Sequence, residues 1–130
     1  MPLRGDINIM EDTFKSSQAQ SRYRVVSYSS TQGFVTNVTD RTSTLAGITQ
    51  NATSASGDTV RLRQLGKSLV TIDAAVTKGI PLFSRGTAGF VSNVGGATGD
   101  FTIGVTEEGL PGAAGTSGDQ ITCFLQIRRV

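Results

Sequence analysis

Gly33-Phe34-Val35-Thr36-Asn37-Val38 returns, 56 positions later, as Gly89-Phe90-Val91-Ser92-Asn93-Val94. Two more blocks follow in the same order. Ala46-Gly47-Ile48-Thr49 returns as Ile103-Gly104-Val105-Thr106 after 57 positions, and Ser56-Gly57-Asp58-Thr59-Val60 as Ser117-Gly118-Asp119-Gln120-Ile121 after 61. Ordered matches of this kind define an internal repeat whose insertions fall in Gly-rich connections. Each block holds β-branched or aromatic residues bounded by Gly, Ser, Thr or Asp, the pattern of a short strand between turns.

Working outward, Arg24-Val25-Val26-Ser27-Tyr28 precedes the first copy where Ile80-Pro81-Leu82-Phe83-Ser84 precedes the second. Thr59–Leu65 alternates, with Val60 and Leu62 on one face and Arg61 and Arg63 on the other. Ser68–Ile72 reads as a further strand. Ala74–Lys78 is the one helical turn the sequence offers, stopped by Gly79 and Pro81. The fold expected is mainly β, a small β-barrel or β-sandwich built from two tandem repeats of about four short strands. The repeats run over about 22–66 and 78–130, within a single β domain at 22–130. Gly33 and Gly89 sit where a hairpin turn needs positive φ, and Gly57 and Gly118 mark tight turns. Gly47 and Gly104 lie inside strands, where a missing side chain marks a bulge or a close approach of backbone.

Residues 1–21 lack this periodicity. Gly5–Ile9 reads as one short strand, and the rest as an extended, flexible N-terminal arm awaiting a partner.

Composition removes whole classes of function. The chain has no His and one Cys in 130 residues, so it has no Ser-His or Cys-His relay, no His-ligated metal and no intrachain disulfide. A formal charge of +2 is a weak field, and Arg22/Arg24, Arg61/Arg63 and Arg128/Arg129 are dispersed, so no nucleic-acid partner is expected. No apolar run is long enough for a membrane span, and Met1–Phe14 has no apolar signal-peptide core, so an intracellular address is expected, at least at synthesis.

The short motifs fail on context. Arg4-Gly5-Asp6 is a three-residue match to an adhesion tripeptide, and Asn37-Val38-Thr39 and Asn51-Ala52-Thr53 match a glycosylation pattern without a secretion signal. Gly66-Lys67-Ser68 ends like a phosphate-binding loop, but Arg61 stands where that loop needs Gly and a strand follows. Glu107 and Glu108 are neighbours and face opposite ways on a strand. Cys123 alternates with Phe124 and reads as a structural thiol without a base to activate it. No catalytic residue, cofactor or metal site is assigned.

Ala46-Gly47-Ile48-Thr49 with Ser56–Leu62, Ala74–Phe83, and Ile103–Glu107 with Ser117–Ile121 together resemble the small phage capsid-decoration proteins, also called head-auxiliary or cement proteins. The resemblance covers about residues 22–130. It implies a homotrimer, or another small ring, that binds the major capsid protein on the outside of the head and ties neighbouring capsomers together. Under it, Arg4, Asp6, Glu11, Lys15, Arg22 and Arg24 become candidate capsid contacts. Other readings are a phage tail or head–tail connector subunit and a carbohydrate-binding β domain, the latter disfavoured by an aromatic content of 6% without Trp.

Overall fold

The computed structural model describes residues 10–73, 76–77, 79–86, 88–106, 113–114 and 118–130. The first half contributes β1 (Met10–Ser16), β2 (Val25–Tyr28), β3 (Phe34–Asn37), β4 (Leu45–Thr49) and β5 (Thr59–Thr71). The second half contributes β6 (Val76–Thr77), β7 (Pro81–Ser84), β8 (Val91–Ser92), β9 (Phe101–Thr106), β10 (Ala113–Ala114) and β11 (Gln120–Arg129). Nine strands form one sheet in the order β1-β3-β2-β4-β5-β11-β9-β7-β8, and β1 also pairs with β5. That extra pairing closes β1, β3, β2, β4 and the first half of β5 into a barrel, which has no free edge.

The second half of β5 starts the same figure again. It pairs antiparallel with β11, and β11-β9-β7-β8 follow as β5-β4-β2-β3 do in the first half. The parallel Ser16↔Val35 step that joins β1 to β3 recurs as the Ile72↔Val91 bridge. Backbone bonds repeat with it. Ser17 N–H donates to Val35 O at 2.8 Å, and Asp73 N–H to Val91 O at 3.2 Å. Gly57 N–H donates to Ser16 O and Gly118 N–H to Ile72 O, both at 2.8 Å. The molecule is thus a closed five-stranded barrel followed in tandem by a second barrel of the same figure, which shares one strand with it and is bridged across its last seam at Ile72↔Val91.

Each barrel is filled by the inward positions of its own copy. Val26, Val35, Ala46, Val60 and Leu62 cluster in the first, with Phe14 packed against them. Their counterparts Leu82, Val91, Ile103, Ile121 and Cys123, with Val70 in place of Phe14, belong to the second cluster. Burying each Val, Leu and Ile side chain among these stabilises by roughly 1.5–3 kcal/mol before entropy is counted.

Four expectations are corrected. The flexible arm expected over 1–21 is a barrel wall from Met10 to Ser16, because Phe14 faces the core and β1 hydrogen-bonds on both sides, to β3 and β5. The expected short strand at Gly5–Ile9 lies outside the described residues. The repeat therefore starts earlier than residue 22: the fold-level copies begin at β1 and at Gly66, each with five strands rather than about four. Thr59–Leu65 and Ser68–Ile72 are not separate strands, since the chain pairs with β11 without interruption through Gly66, which takes φ +99°. Of the helical turn expected at Ala74–Lys78, Val76 and Thr77 are strand, paired with β10, and the remaining three residues lie outside the described set.

The repeated threonines and strand glycines have direct causes. Thr49 Oγ1 accepts from Arg24 N–H at 3.0 Å, and Thr106 Oγ1 accepts from Ile80 N–H at 3.1 Å, so each anchors the entry to the same hairpin. A Cβ on Gly47 would lie 2.9 Å from Arg63 O, and one on Gly104 would lie 2.1 Å from Phe124 O. Both clashes are with backbone, which cannot swing aside. Gly33, at φ +83°, has nothing within 4 Å of a Cβ. Gly104→Ala is expected to lose about 4 kcal/mol or to fail to fold, whereas Gly33→Ala loses about 1–2 kcal/mol from backbone strain alone. Urea denaturation of the two variants checks the contrast.

Candidate interaction surfaces

The joint between the barrels is built from backbone hydrogen bonds and a ring stack. The turn before β2 inserts Tyr23–Val25 into the seam of the second barrel. Val25 N–H donates to Gly89 O at 3.0 Å, and Thr71 donates to Tyr23 O from its N–H at 3.1 Å and its hydroxyl at 2.9 Å. In the first barrel the equivalent seam is closed on itself, Lys15 N–H donating to Gly33 O at 2.9 Å. Tyr23 takes φ +62° to make this turn, and its counterpart Gly79 takes +77°. Arg24 lays its guanidinium 4.5 Å from the Phe90 ring centroid and donates to Ala88 O at 2.7 Å. Arg41 donates to Val94 O at 2.6 Å. Val25, Val38, Leu45 and Ile48 belong to the second barrel's apolar cluster rather than the first's.

This placement redistributes the candidate contact residues. Arg24 is committed to the joint. Glu11, on β1, is held by Arg63, whose Nε donates to Glu11 Oε2 at 2.8 Å and whose Nη2 also meets that oxygen, and Arg61 Nη1 lies 3.6 Å from Oε1. The pair fixes β1 to β5 across a half-exposed face, where such pairs contribute about 1 kcal/mol or less. Lys15 and Arg22 are exposed, with the Arg22 guanidinium 5.5 Å from the Tyr23 ring centroid. Arg4 and Asp6 lie outside the described residues. Thus Glu11 and Arg24 serve the fold, while Lys15 and Arg22 face solvent.

The surface carries an apolar feature that charge-based reading passes over. Pro81, Val105 and Phe124 are register partners on β7, β9 and β11, all on the outer face. Val105 is 42% exposed and Phe124 44%. Phe124 alternates with the inward Cys123 and Leu125, whereas Val105 shares the parity of the inward Ile103 and is turned outward by the register shift between β7 and β9.

Nothing in the described part is arranged for catalysis. Among the described residues no three His, Cys, Asp or Glu side chains group to hold a metal, and no helix is long and apolar enough to cross a membrane. Cys123 is buried, and desolvation pushes its thiol up to about 12, so it is protonated and inert near neutral pH. Asp58 accepts from Ser54 N–H at 3.0 Å, Ala55 N–H at 3.1 Å and Ser54 Oγ at 3.2 Å, bonds that hold its carboxyl below its ordinary value. Asp40 is lowered likewise, first by the Thr42 hydroxyl and then by the Thr42 N–H. These are turn-closing carboxylates.

No family model and no curated protein matches the sequence. Solved structures do. The chain superposes on the head fiber gp8.5 N base of bacteriophage phi29 with a TM-score of 0.65 at 14% identity, covering 91% of this chain and 94% of that one. It superposes on a chain from the capsid of Myoviridae Phage XM1 with a TM-score of 0.64 at 19% identity, covering 98% of this chain and 86% of that one. The tandem-barrel fold is therefore shared along nearly the whole length of both.

Two outcomes are expected from this geometry. Arg24→Ala removes a ring stack and a carbonyl bond at the joint and loses about 1–2 kcal/mol, and hydrogen exchange quickens at the Val25 and Thr71 amides before those inside either barrel. The carboxylate of Asp58 stabilises the native turn above its unfolded value near 3.8, and that contribution is lost as pH falls through the lower native value. Acid unfolding should thus shift wild type toward Asp58→Ala in stability as pH drops below that range.

Proposed function

We propose that the chain is a phage virion structural protein, placed on the outer surface of the head. There it acts as an oligomer, a homotrimer in the simplest form, that bridges neighbouring capsomers through the major capsid protein. The observation that carries this reading is the near full-length likeness to two structures described as a head-fiber base and a phage capsid, on a fold without an arranged reactive group among its described residues. Closed barrels suit the task. They leave few unpaired strand edges, so surface contacts rather than sheet extension decide what the protein binds. Contacts that exist only in the assembled shell stabilise it by mass action, and many modest sites sum over a lattice. Lys15 and Arg22, exposed and free of ion pairs within the described structure, are the candidate contacts to acidic capsid patches. The protein collects in the host cytoplasm and joins the head after its shell expands.

A second reading is favoured by the phi29 likeness: the chain is the base that seats a fiber on the head. Both readings put it on the capsid, and they differ in whether copies cover the lattice or occupy few sites.

Cryo-microscopy of heads with and without the chain tests this. Bridging predicts density at capsomer junctions over the whole shell, and a shell stabilised by about 2.7 kcal/mol per site when the free chain is at a hundred times its dissociation constant. A fiber base predicts isolated projections and an unchanged melting temperature. Expanded heads that bind no chain at all would overturn both.

A further inference from the structure

We propose that the Pro81–Val105–Phe124 row is a self-association face that seats the Gln32–Gly33–Phe34 corner of a second copy, joining copies head to tail. The inference goes beyond the virion reading and does not depend on it. It follows from the internal repeat.

The counterpart of this row in the first barrel is Val25–Ile48–Arg63, paired across β2, β4 and β5 as Pro81–Val105–Phe124 is across β7, β9 and β11. The first row is covered: Val25 is 1% exposed and Ile48 0%. What meets its Val25 end is a corner of the second barrel. The space a Cβ on Gly89 would need is taken by Arg24 Cβ at 2.7 Å and Val25 O at 2.8 Å, and Phe90 stacks on Arg24. The counterpart of that corner in the first barrel is Gln32–Gly33–Phe34. It is open, with nothing within 4 Å of a Cβ on Gly33, and it borders a cleft lined also by Phe14 and Lys15. Each chain thus makes the joint once internally and carries counterparts of its two sides at its ends: an exposed apolar row on the second barrel, and on the first a corner whose backbone acceptor is taken but whose outer side is open. Repeating the internal joint between copies brings those counterparts together.

The joint between copies is weaker than the internal one, and the sequence shows why. Pro81 stands where Val25 donates its N–H, so that backbone bond has no donor. The Lys15–Gly33 bond already occupies the acceptor. What remains is apolar contact between side chains, which makes the association reversible. Because the two faces differ, the interface is heterologous and closes into a ring only where the rotation per copy allows.

Sedimentation velocity of the full chain over about a hundredfold range of concentration tests the inference. Wild type should associate. Val105→Glu and, as a milder second variant, Phe124→Ser should each raise the self-dissociation constant about tenfold or more, with circular dichroism and urea midpoints close to wild type. Gln32→Arg should do the same from the other face. Mixing Val105→Glu with Gln32→Arg should restore association but stop it at dimers, since that mixture has one intact row and one intact corner. A wild type that stays monomeric throughout, or associates equally well in all three variants, overturns the inference. If wild type is monomeric and Val105→Glu instead loses head binding, the row belongs to the shell, so self-association falls while the virion reading stands. Association without any head binding reverses that outcome.

Discussion

Strand β5 runs for thirteen residues, and its two halves answer to different barrels. From Thr59 to Leu65 it lies between β4 and β1 and closes the first barrel. From Gly66 to Thr71 it pairs with β11 and opens the second. The inward side chains Val60 and Leu62 fill one core, and Val70 fills the other. The pairing with β11 runs without a shift through Leu65, Gly66 and Lys67, so a single strand serves both. Sharing a strand removes the linker that two separate domains would need. It also makes their relative placement a property of backbone hydrogen bonding rather than of a flexible connection.

The joint built around this strand shows how one sequence pattern yields two environments. The same turn precedes β2 and β7, anchored by the same threonine hydroxyl. At the first turn the chain enters the neighbouring seam as an added strand segment, a mode of recognition that uses main-chain bonds for strength and side chains for choice. At the second turn a proline forbids that bond. Tandem proteins commonly distinguish their interior from their ends in this way, by altering a few residues at a position that would otherwise continue the stack.

Much of this was legible in the residues. The Gly-Phe-Val, Gly-Ile/Val-Thr and Ser-Gly-Asp blocks recur because they report backbone demands: a turn at positive φ, a strand crossed at backbone distance, a hydroxyl that anchors a hairpin, and a tight reversal. Such demands tolerate few substitutions, so they survive in the letters. β1 was hidden for the opposite reason. Met10–Ser16 and Gly66–Thr71 hold equivalent places in the fold and share almost no residues, since an outer wall strand is specified mainly by its hydrogen bonds and one inward side chain, Phe14 or Val70. Gly66-Lys67 reads as a break between Leu65 and Ser68, yet β5 keeps its pairing with β11 through both residues. The surfaces were less legible than the fold. Arg24 is a candidate contact by its charge, yet it spends that charge inside the molecule, on Ala88 O. The exposed apolar row emerges only when register places Val105 beside Phe124.

The single thiol adds a property of a different kind. Cys123 points into the second barrel, fully covered. An oxidant or an alkylating reagent reaches the sulfur only when that barrel opens. The rate at which the sulfur is modified therefore becomes a clock for how often the second barrel breathes.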